Sequence, residues 1–372
     1  MQPPLPPALG PWKTLIFTLI PVVVLLLGFE VAIRMRGADR HCHGSYESSL
    51  LWTCDPILSF QVRKGMTPLN EVGFRSPEFT TKRAGVFRIL ALGDSTTFGL
   101  IDEGEFKYIE TPYPQRLQEI LDHRAGPAKF EVLNAGVPGY NSFMGVMLLR
   151  QKLRGLQPDV ITVRYGWNDH LMSMGGEAGN AYRELDNPFL LAIEDVLLQT
   201  ATYRYLRRLG RELEARRSPE RKPTVADIPR EWKPNVPLGQ YKKNLRRIVK
   251  LGREQGATVW LLTTPHAFLT DENRGQYDKF PDTMSAKLAI AFSAIPTFER
   301  MIEIHDQYAE ATREVARQTG ATLIDMEAAY AAHASEHLYS SSDVVHPTQL
   351  GHDLEAEMLH RQLAAEGIAP EL

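Results

Sequence analysis

Apolar residues in this chain follow two different rhythms, and the change between them marks out its elements. After residue 86, short apolar runs alternate with stretches in which apolar positions recur every three or four residues. The runs Phe87–Leu92, Phe130–Leu133, Val160–Val163, Thr258–Thr263 and Thr322–Ile324 predict short buried strands. The periodic stretches Tyr113–His123, Phe143–Gly155, Gly239–Gln255, Ile302–Thr319 and Pro347–Ala365 predict helices with one face toward a core. Strand followed by helix, repeated, predicts an α/β domain with a parallel sheet and helices on both faces.

The segment before residue 86 obeys neither rhythm. Residues 1–13 are rich in proline and read as a disordered tail. Residues 14–33 are mainly apolar, with Glu30 near the far end, and are long enough to cross a bilayer. A cleaved signal peptide is the rival reading. The apolar stretch is long for one, and no convincing small-x-small site follows it. Residues 34–85 form a linker and lead-in that reaches the domain at 86–372 through Asn70-Glu-Val-Gly-Phe-Arg75. Two stretches interrupt the alternation, at 171–237 and 267–296, and both read as insertions over the active face, as a lid would be. Within the first, Leu206–Arg217 reads as a solvated surface helix.

Composition narrows the function classes. With 372 residues, 43% hydrophobic and 23% charged, the chain has ample material for a core. A formal net charge of -3 and the lack of a basic stripe exclude a nucleic-acid partner. Cys42 and Cys54 are the only cysteines. Either they form a single disulfide in an oxidising compartment or they are two unpaired thiols.

Candidate chemistry begins where the first strand ends, at Gly93-Asp94-Ser95. In open α/β sheets, ligands bind at the carboxyl ends of the strands. A serine there meets the positive end of the following helix. Taken alone, Asp94 and Ser95 are better read as a helix cap. Three further segments change that balance: Asn134-Ala-Gly-Val-Pro-Gly139 after the second strand, Gly166-Trp-Asn-Asp169 after the third, and Asp343-Val-Val-His-Pro347 before the last helix. A serine hydroxyl needs a base to take its proton. His346 is that candidate, and Asp343, three residues earlier, can fix its tautomer and stabilise the imidazolium. Pro347 restrains the backbone of His346 and suits the start of a helix. The oxyanion would be met by the Ser95 N–H, the Gly136 N–H and the Asn168 side-chain amide. Gly136 alone could be only a turn residue, and Asn168 with Asp169 only a cap. Asp94 and Asp169 are supporting candidates.

These four blocks resemble those of the SGNH (GDSL-type) hydrolases, matched here by Gly93-Asp94-Ser95, Gly136, Gly166-x-Asn168 and Asp343-x-x-His346. The resemblance covers roughly residue 70 to the C-terminus. It implies a flavodoxin-like three-layer sandwich, a Ser95–His346–Asp343 triad and an oxyanion hole of Ser95, Gly136 and Asn168. The apolar segment, the Gly-Phe-Arg lead-in and Leu238-Gly-Gln-Tyr-Lys-Lys-Asn-Leu-Arg-Arg247 further resemble a membrane-tethered bacterial branch of the family.

The expected activity is therefore a serine esterase acting on a carboxylic ester, an O-acetyl carbohydrate or a lipid ester, through an acyl-enzyme. An O-acyltransferase using the same serine and a non-catalytic carbohydrate-binding module are the alternatives. No metal or cofactor is expected. His-Glu-x-x-His is absent, and His333 with His337, at i and i+4, reads as a helix surface. The expected location is the cytoplasmic (inner) membrane, single-pass, with the hydrolase extracytoplasmic. Arg34, Arg36 and Arg40 follow the span and only Lys13 precedes it, so counting charges points the other way. Long C-terminal domains, however, translocate largely regardless of charge.

Overall fold

The computed structural model describes residues 11–40, 52–55, 57–64, 69–102, 106–171, 188–217, 234–268, 298–340 and 343–371. The chain divides into two compact units: Met1–Ser49 with Thr53–Phe60 and Glu184–Glu220, and Leu50–Trp52 with Gln61–Arg183 and Arg221–Leu372. The stretch expected as an insertion at 267–296 lies almost wholly outside the described residues.

Five parallel strands form the sheet of the larger unit: β1 (Phe87–Gly93), β2 (Phe130–Gly136), β3 (Val160–Arg164), β4 (Thr258–Leu262) and β5 (Thr322–Ile324). Their order is β2-β1-β3-β4-β5, the doubly wound order of flavodoxin-like folds. The described helices, in chain order, are α1 (Pro11–Arg36), α2 (Ser95–Phe98), α3 (Tyr113–Ala125), α4 (Ser142–Gln151), α5 (Trp167–His170), α6 (Pro188–Leu198), α7 (Ala201–Arg217), α8 (Leu238–Glu254), α9 (Phe298–Thr319), α10 (Met326–Ala332) and α11 (Gln349–Ala365).

Alternation along each strand sorts the core into two layers. Ile89, Ala91, Val132, Trp260 and Ile324 pack with Tyr113, Leu117 and Leu121 of α3 and with Ala356, Leu359 and Leu363 of α11. Leu90, Leu92, Leu133, Ile161, Val163, Val259 and Leu261 are equally buried and point to the opposite face. Each such side chain stabilises the fold by about 1.5–3 kcal/mol relative to an exposed one. Gly252 lets α8 settle on this second face, since a Cβ there would lie 2.5 Å from Val259 Cγ2.

Register then sets where the strands end together. Gly93 pairs with Gly136 on one side and Arg164 on the other. The chain runs from β1 to β2 in one direction and continues from β3 in the other, so the switch point lies between β1 and β3. A crevice at that point is where such sheets bind ligands. The lead-in braces the same edge. The Arg75 guanidinium donates to the carbonyls of Phe98 at 3.1 Å and Gly99 at 3.3 Å, while its own carbonyl accepts from Gln115 Nε2 at 2.6 Å.

Two expectations about helices change. α4 stops at Gln151 rather than Gly155, because the N–H groups of Lys152 and Leu153 both turn back onto the Leu148 carbonyl. His333 and His337 do not share a helix surface. α10 ends at Ala332, a 3-10 turn follows over Ala334–Glu336, and His337 is left-handed at φ 52°.

Candidate active site

The first strand delivers the serine by a turn that only glycine permits. A Cβ on Gly93 would lie 2.1 Å from Thr97 Oγ1 and 2.9 Å from the Arg164 carbonyl. Asp94 then caps α2, its Oδ1 accepting from Thr96 N–H at 2.9 Å and Thr96 Oγ1 at 2.7 Å. The capping role and the site are thus compatible, because Asp94 takes the cap and Ser95 the first helical position. Burial raises the Asp94 carboxyl against the two bonds from Thr96, and its Oδ2 has no hydrogen-bond partner among the described residues.

The base and its orienting acid arrive together on a hairpin, Tyr339–Ser340 paired with Asp343–Pro347. Ser95 Oγ lies 2.9 Å from His346 Nε2, and His346 Nδ1 lies 2.7 Å from Asp343 Oδ2. The other carboxylate oxygen of Asp343 accepts the N–H groups of Val345 and His346, both at 2.9 Å. Burial pushes Asp343 up. The neighbouring imidazole and these hydrogen bonds outweigh it, holding the carboxyl below its ordinary value. The arrangement can take a proton from Ser95 and keep the resulting imidazolium paired.

The candidate oxyanion donors divide. Asn168, on α5 just past β3, donates one amide hydrogen to the Tyr140 carbonyl at 3.0 Å and keeps a second. Gly136 N–H donates to Asn134 Oδ1 at 2.9 Å, and its Cβ direction is filled by Phe98 N at 2.4 Å. That glycine is needed for close packing under α2, and its donor is already spent. Three residues on, Gly139 sits half-buried at φ 85°, beside the carbonyl that orients Asn168. Neither its N–H nor that of Ser95 donates to an acceptor among the described residues. The recurrence of glycine within Gly136-Val-Pro-Gly139 was the available signal for the second position.

Asn168 rests on a platform of which the sequence offered only Asp169. Asp169 accepts from Ser142 N–H at 3.1 Å and from Ser142 Oγ at 2.5 Å, and Asn244 Nδ2 donates to that same hydroxyl at 2.9 Å. Burial dominates at Asp169 and pushes its carboxyl up to about 8. Behind it, His170 Nε2 lies 2.8 Å from His305 Nδ1, and His305 Nε2 lies 2.6 Å from the Thr264 carbonyl. A carbonyl only accepts, so His305 carries its proton on Nε2 and His170 is the donor to His305 Nδ1. Burial depresses both imidazoles, His305 to about 3. Trp167 stacks on His305 at 4.0 Å.

One further cluster lies in this unit. Ligand atoms of His266, Asp306 and Glu327 fall within 4.8 Å of one another. His266 Nε2 already lies 3.0 Å from Asp306 Oδ1, and Arg313 donates to Glu327 at 2.6 Å. A hydrogen bond at His266 and an ion pair at Glu327 thus already engage these groups.

A doubly wound sheet with a Ser–His–Asp hydrogen-bonded chain at its carboxyl edge defines an α/β serine hydrolase. The family model of the GDSL-like lipase/acylhydrolases matches residues 91–354, and the chain belongs to that family. It is an SGNH-type enzyme acting on esters. Similar solved structures include a lipase/acylhydrolase from Enterococcus faecalis, at 17% identity, 77% of this chain, 100% of that one and TM-score 0.43. An acetylxylan esterase from Geobacillus stearothermophilus is 18% identical over 76% of this chain and 96% of its own, with TM-score 0.44. An α/β hydrolase from the metagenome of Lake Arreo, Spain, is 17% identical over 78% and 99%, with TM-score 0.42. No curated protein sequence matches the chain significantly.

Proposed function

We propose that this chain is an esterase whose nucleophile, general base and orienting acid are Ser95, His346 and Asp343. The substrate class is an O-acetyl carbohydrate or a lipid ester. Ser95 Oγ passes its proton to His346 Nε2 as it attacks the carbonyl carbon. The tetrahedral intermediate then collapses to an acyl-serine as His346 gives that proton to the leaving alcohol. Water, activated by the same imidazole, attacks the acyl group and frees the acid. The oxyanion is met by the Ser95 N–H, the unspent hydrogen of Asn168 and the Gly139 N–H, which takes the place expected for Gly136. The single observation that carries the reading is the 2.9 Å and 2.7 Å chain from Ser95 Oγ through His346 to Asp343. Intact-mass analysis after brief exposure to p-nitrophenyl acetate tests it. The expected product is one acetyl adduct on Ser95, absent from Ser95→Ala. An adduct that persists in that variant removes the assignment. Turnover that required a sugar acceptor would convert the activity to acyl transfer.

We also infer that α1 is a retained anchor and that the hydrolase is extracytoplasmic. Phe17–Arg36 is long and apolar enough to cross a membrane. Cys54 is disulfide-bonded, and Cys42 is the one other cysteine in the sequence. Such a bond persists in an oxidising compartment. Alkaline phosphatase fused after Leu372 should be active. An inactive fusion beside a bright cytoplasmic reporter at the same position inverts the topology.

A further inference from the structure

The smaller unit carries an amphipathic pattern turned inside out. On α6, Phe189, Leu190, Ile193, Val196 and Leu197 are all exposed, Phe189 by 71% and Val196 by 68%. At ~100° per residue these five positions form one stripe about 120° wide. Leu198, fully buried, lies on the opposite side of the helix. Glu194 and Asp195, which a water-facing helix would turn outward, are half-buried. On α7, Leu206 and Leu213 add two more exposed apolar side chains on one face.

This hairpin of helices is fastened to the end of α1. Glu30 accepts from the N–H groups of Ala201 at 2.9 Å and Thr202 at 2.8 Å, and from Thr202 Oγ1 at 2.7 Å, so its carboxylate caps the start of α7. Arg34, paired with Glu30 at 2.6 Å, also donates to the Gln199 carbonyl at 3.1 Å. Phe29 meets Tyr205 edge-on at 6.3 Å, and Arg204 reaches Asp39 with Nε at 3.0 Å. The α6–α7 corner is therefore held at the last turns of the apolar span. Val23, Val24 and Leu27 of that span expose their side chains as fully as α6 does.

We propose that α6 is a second membrane-contacting element, lying in the bilayer interface with its Phe189–Leu197 stripe against acyl chains. The occupant follows from continuity, because the medium that solvates the exposed apolar surface of α1 also bathes the helix pinned to its end. Eleven residues are too short to span, at about 1.5 Å per residue. A short helix with one apolar face is suited to lie in the interface plane. This inference rests on the reading of α1 as a retained anchor.

The test places the photoreactive residue benzoylphenylalanine at position 193 of the full chain, reconstituted in phosphatidylcholine/phosphatidylglycerol vesicles. Parallel probes replace Val23 in the span and Arg361 on the exposed face of α11. After irradiation, intact mass should show phospholipid adducts at 193 and at 23, each at least about tenfold above 361. A probe at 189 should lose its lipid adduct in an Ile193→Asp, Val196→Asp background while hydrolysis of a soluble ester is retained. Adducts at 23 without adducts at 193 overturn the inference and leave the anchor standing. A cross-linked dimer in place of a lipid adduct at 193 also overturns it and makes the stripe an interface between copies. Absence of adducts at 23 removes the anchor and the inference with it.

Discussion

Asp343 and Asp169 are both buried aspartates, and each stands within three residues of a group proposed to face the reacting ester. Their surroundings drive them in opposite directions. At Asp343 an imidazole and two backbone N–H groups overcome burial and hold the carboxylate ionised. At Asp169 burial wins over the contacts with Ser142, and the carboxyl, pushed up to about 8, is neutral at neutral pH. The neighbouring histidines follow the same division. His346 sits against an ionised carboxylate, whereas His170 and His305 face each other, depressed and uncharged. Charge is kept where a proton must move. Neutral hydrogen bonds are used where a donor only has to be held still. Buried charge without such a task would cost several kcal/mol for each ion.

The most severe way to break the comparison is to remove the group that the ionised side serves. Ser95→Ala should lower kcat by about a millionfold with an unchanged melting temperature. A variant that melts like the parent and keeps a tenth of the activity would refute the nucleophile. Asp343→Asn should cost on the order of ten-thousandfold in kcat/KM, since the amide favours the wrong imidazole tautomer. In the parent enzyme activity should rise with pH as the imidazole loses its proton. A fully active His346→Gln enzyme with a flat pH profile would require another base.

The neutral side should yield smaller effects. Asn168→Ala removes one oxyanion donor and should lower kcat by about a hundred- to a thousandfold with little change in KM. A change confined to KM would make Asn168 a ground-state contact. Asp169→Ala should destabilise the fold by about 1–3 kcal/mol, measured by urea unfolding, because the buried N–H and hydroxyl of Ser142 lose their acceptor. Asp169→Asn should recover most of that stability and keep activity, since an amide resembles a protonated acid. The same exchange is tolerated at 169 and crippling at 343, and equal losses at both positions would erase the distinction. The mildest test is spectroscopic. The imidazole resonances of His170 and His305 should not titrate between pH 7 and about 4. Two normal titration curves would mean that the pair is solvated.

Local pattern made most of the proposed site readable. Gly93-Asp94-Ser95 and Asp343-x-x-His346 are short-range devices. One residue turns the chain, the next caps a helix, and three residues separate an aspartate from the imidazole it contacts. The five strands were readable for the same reason, because buried β-structure leaves continuous apolar runs. The Gly136 assignment shows where such reading stops. Both glycines in Gly136-Val-Pro-Gly139 look suitable in one dimension. Only the approach of Phe98 N and the Asn134 side chain shows that the first has no donor to offer.

What the sequence determined by itself is the order of elements and which residues are candidates for the reacting groups, since both depend on neighbours within a few residues. The strand order, the pairing of Gly93 with Arg164, and the bonds from Ser142 to Asp169 and from His170 to His305 belong to the tertiary structure alone. These partners stand 27 to 135 positions apart. Their protonation depends on how completely water is excluded, and no stretch of sequence carries that information. That the apolar stripe of α6 is exposed also belongs to the tertiary structure.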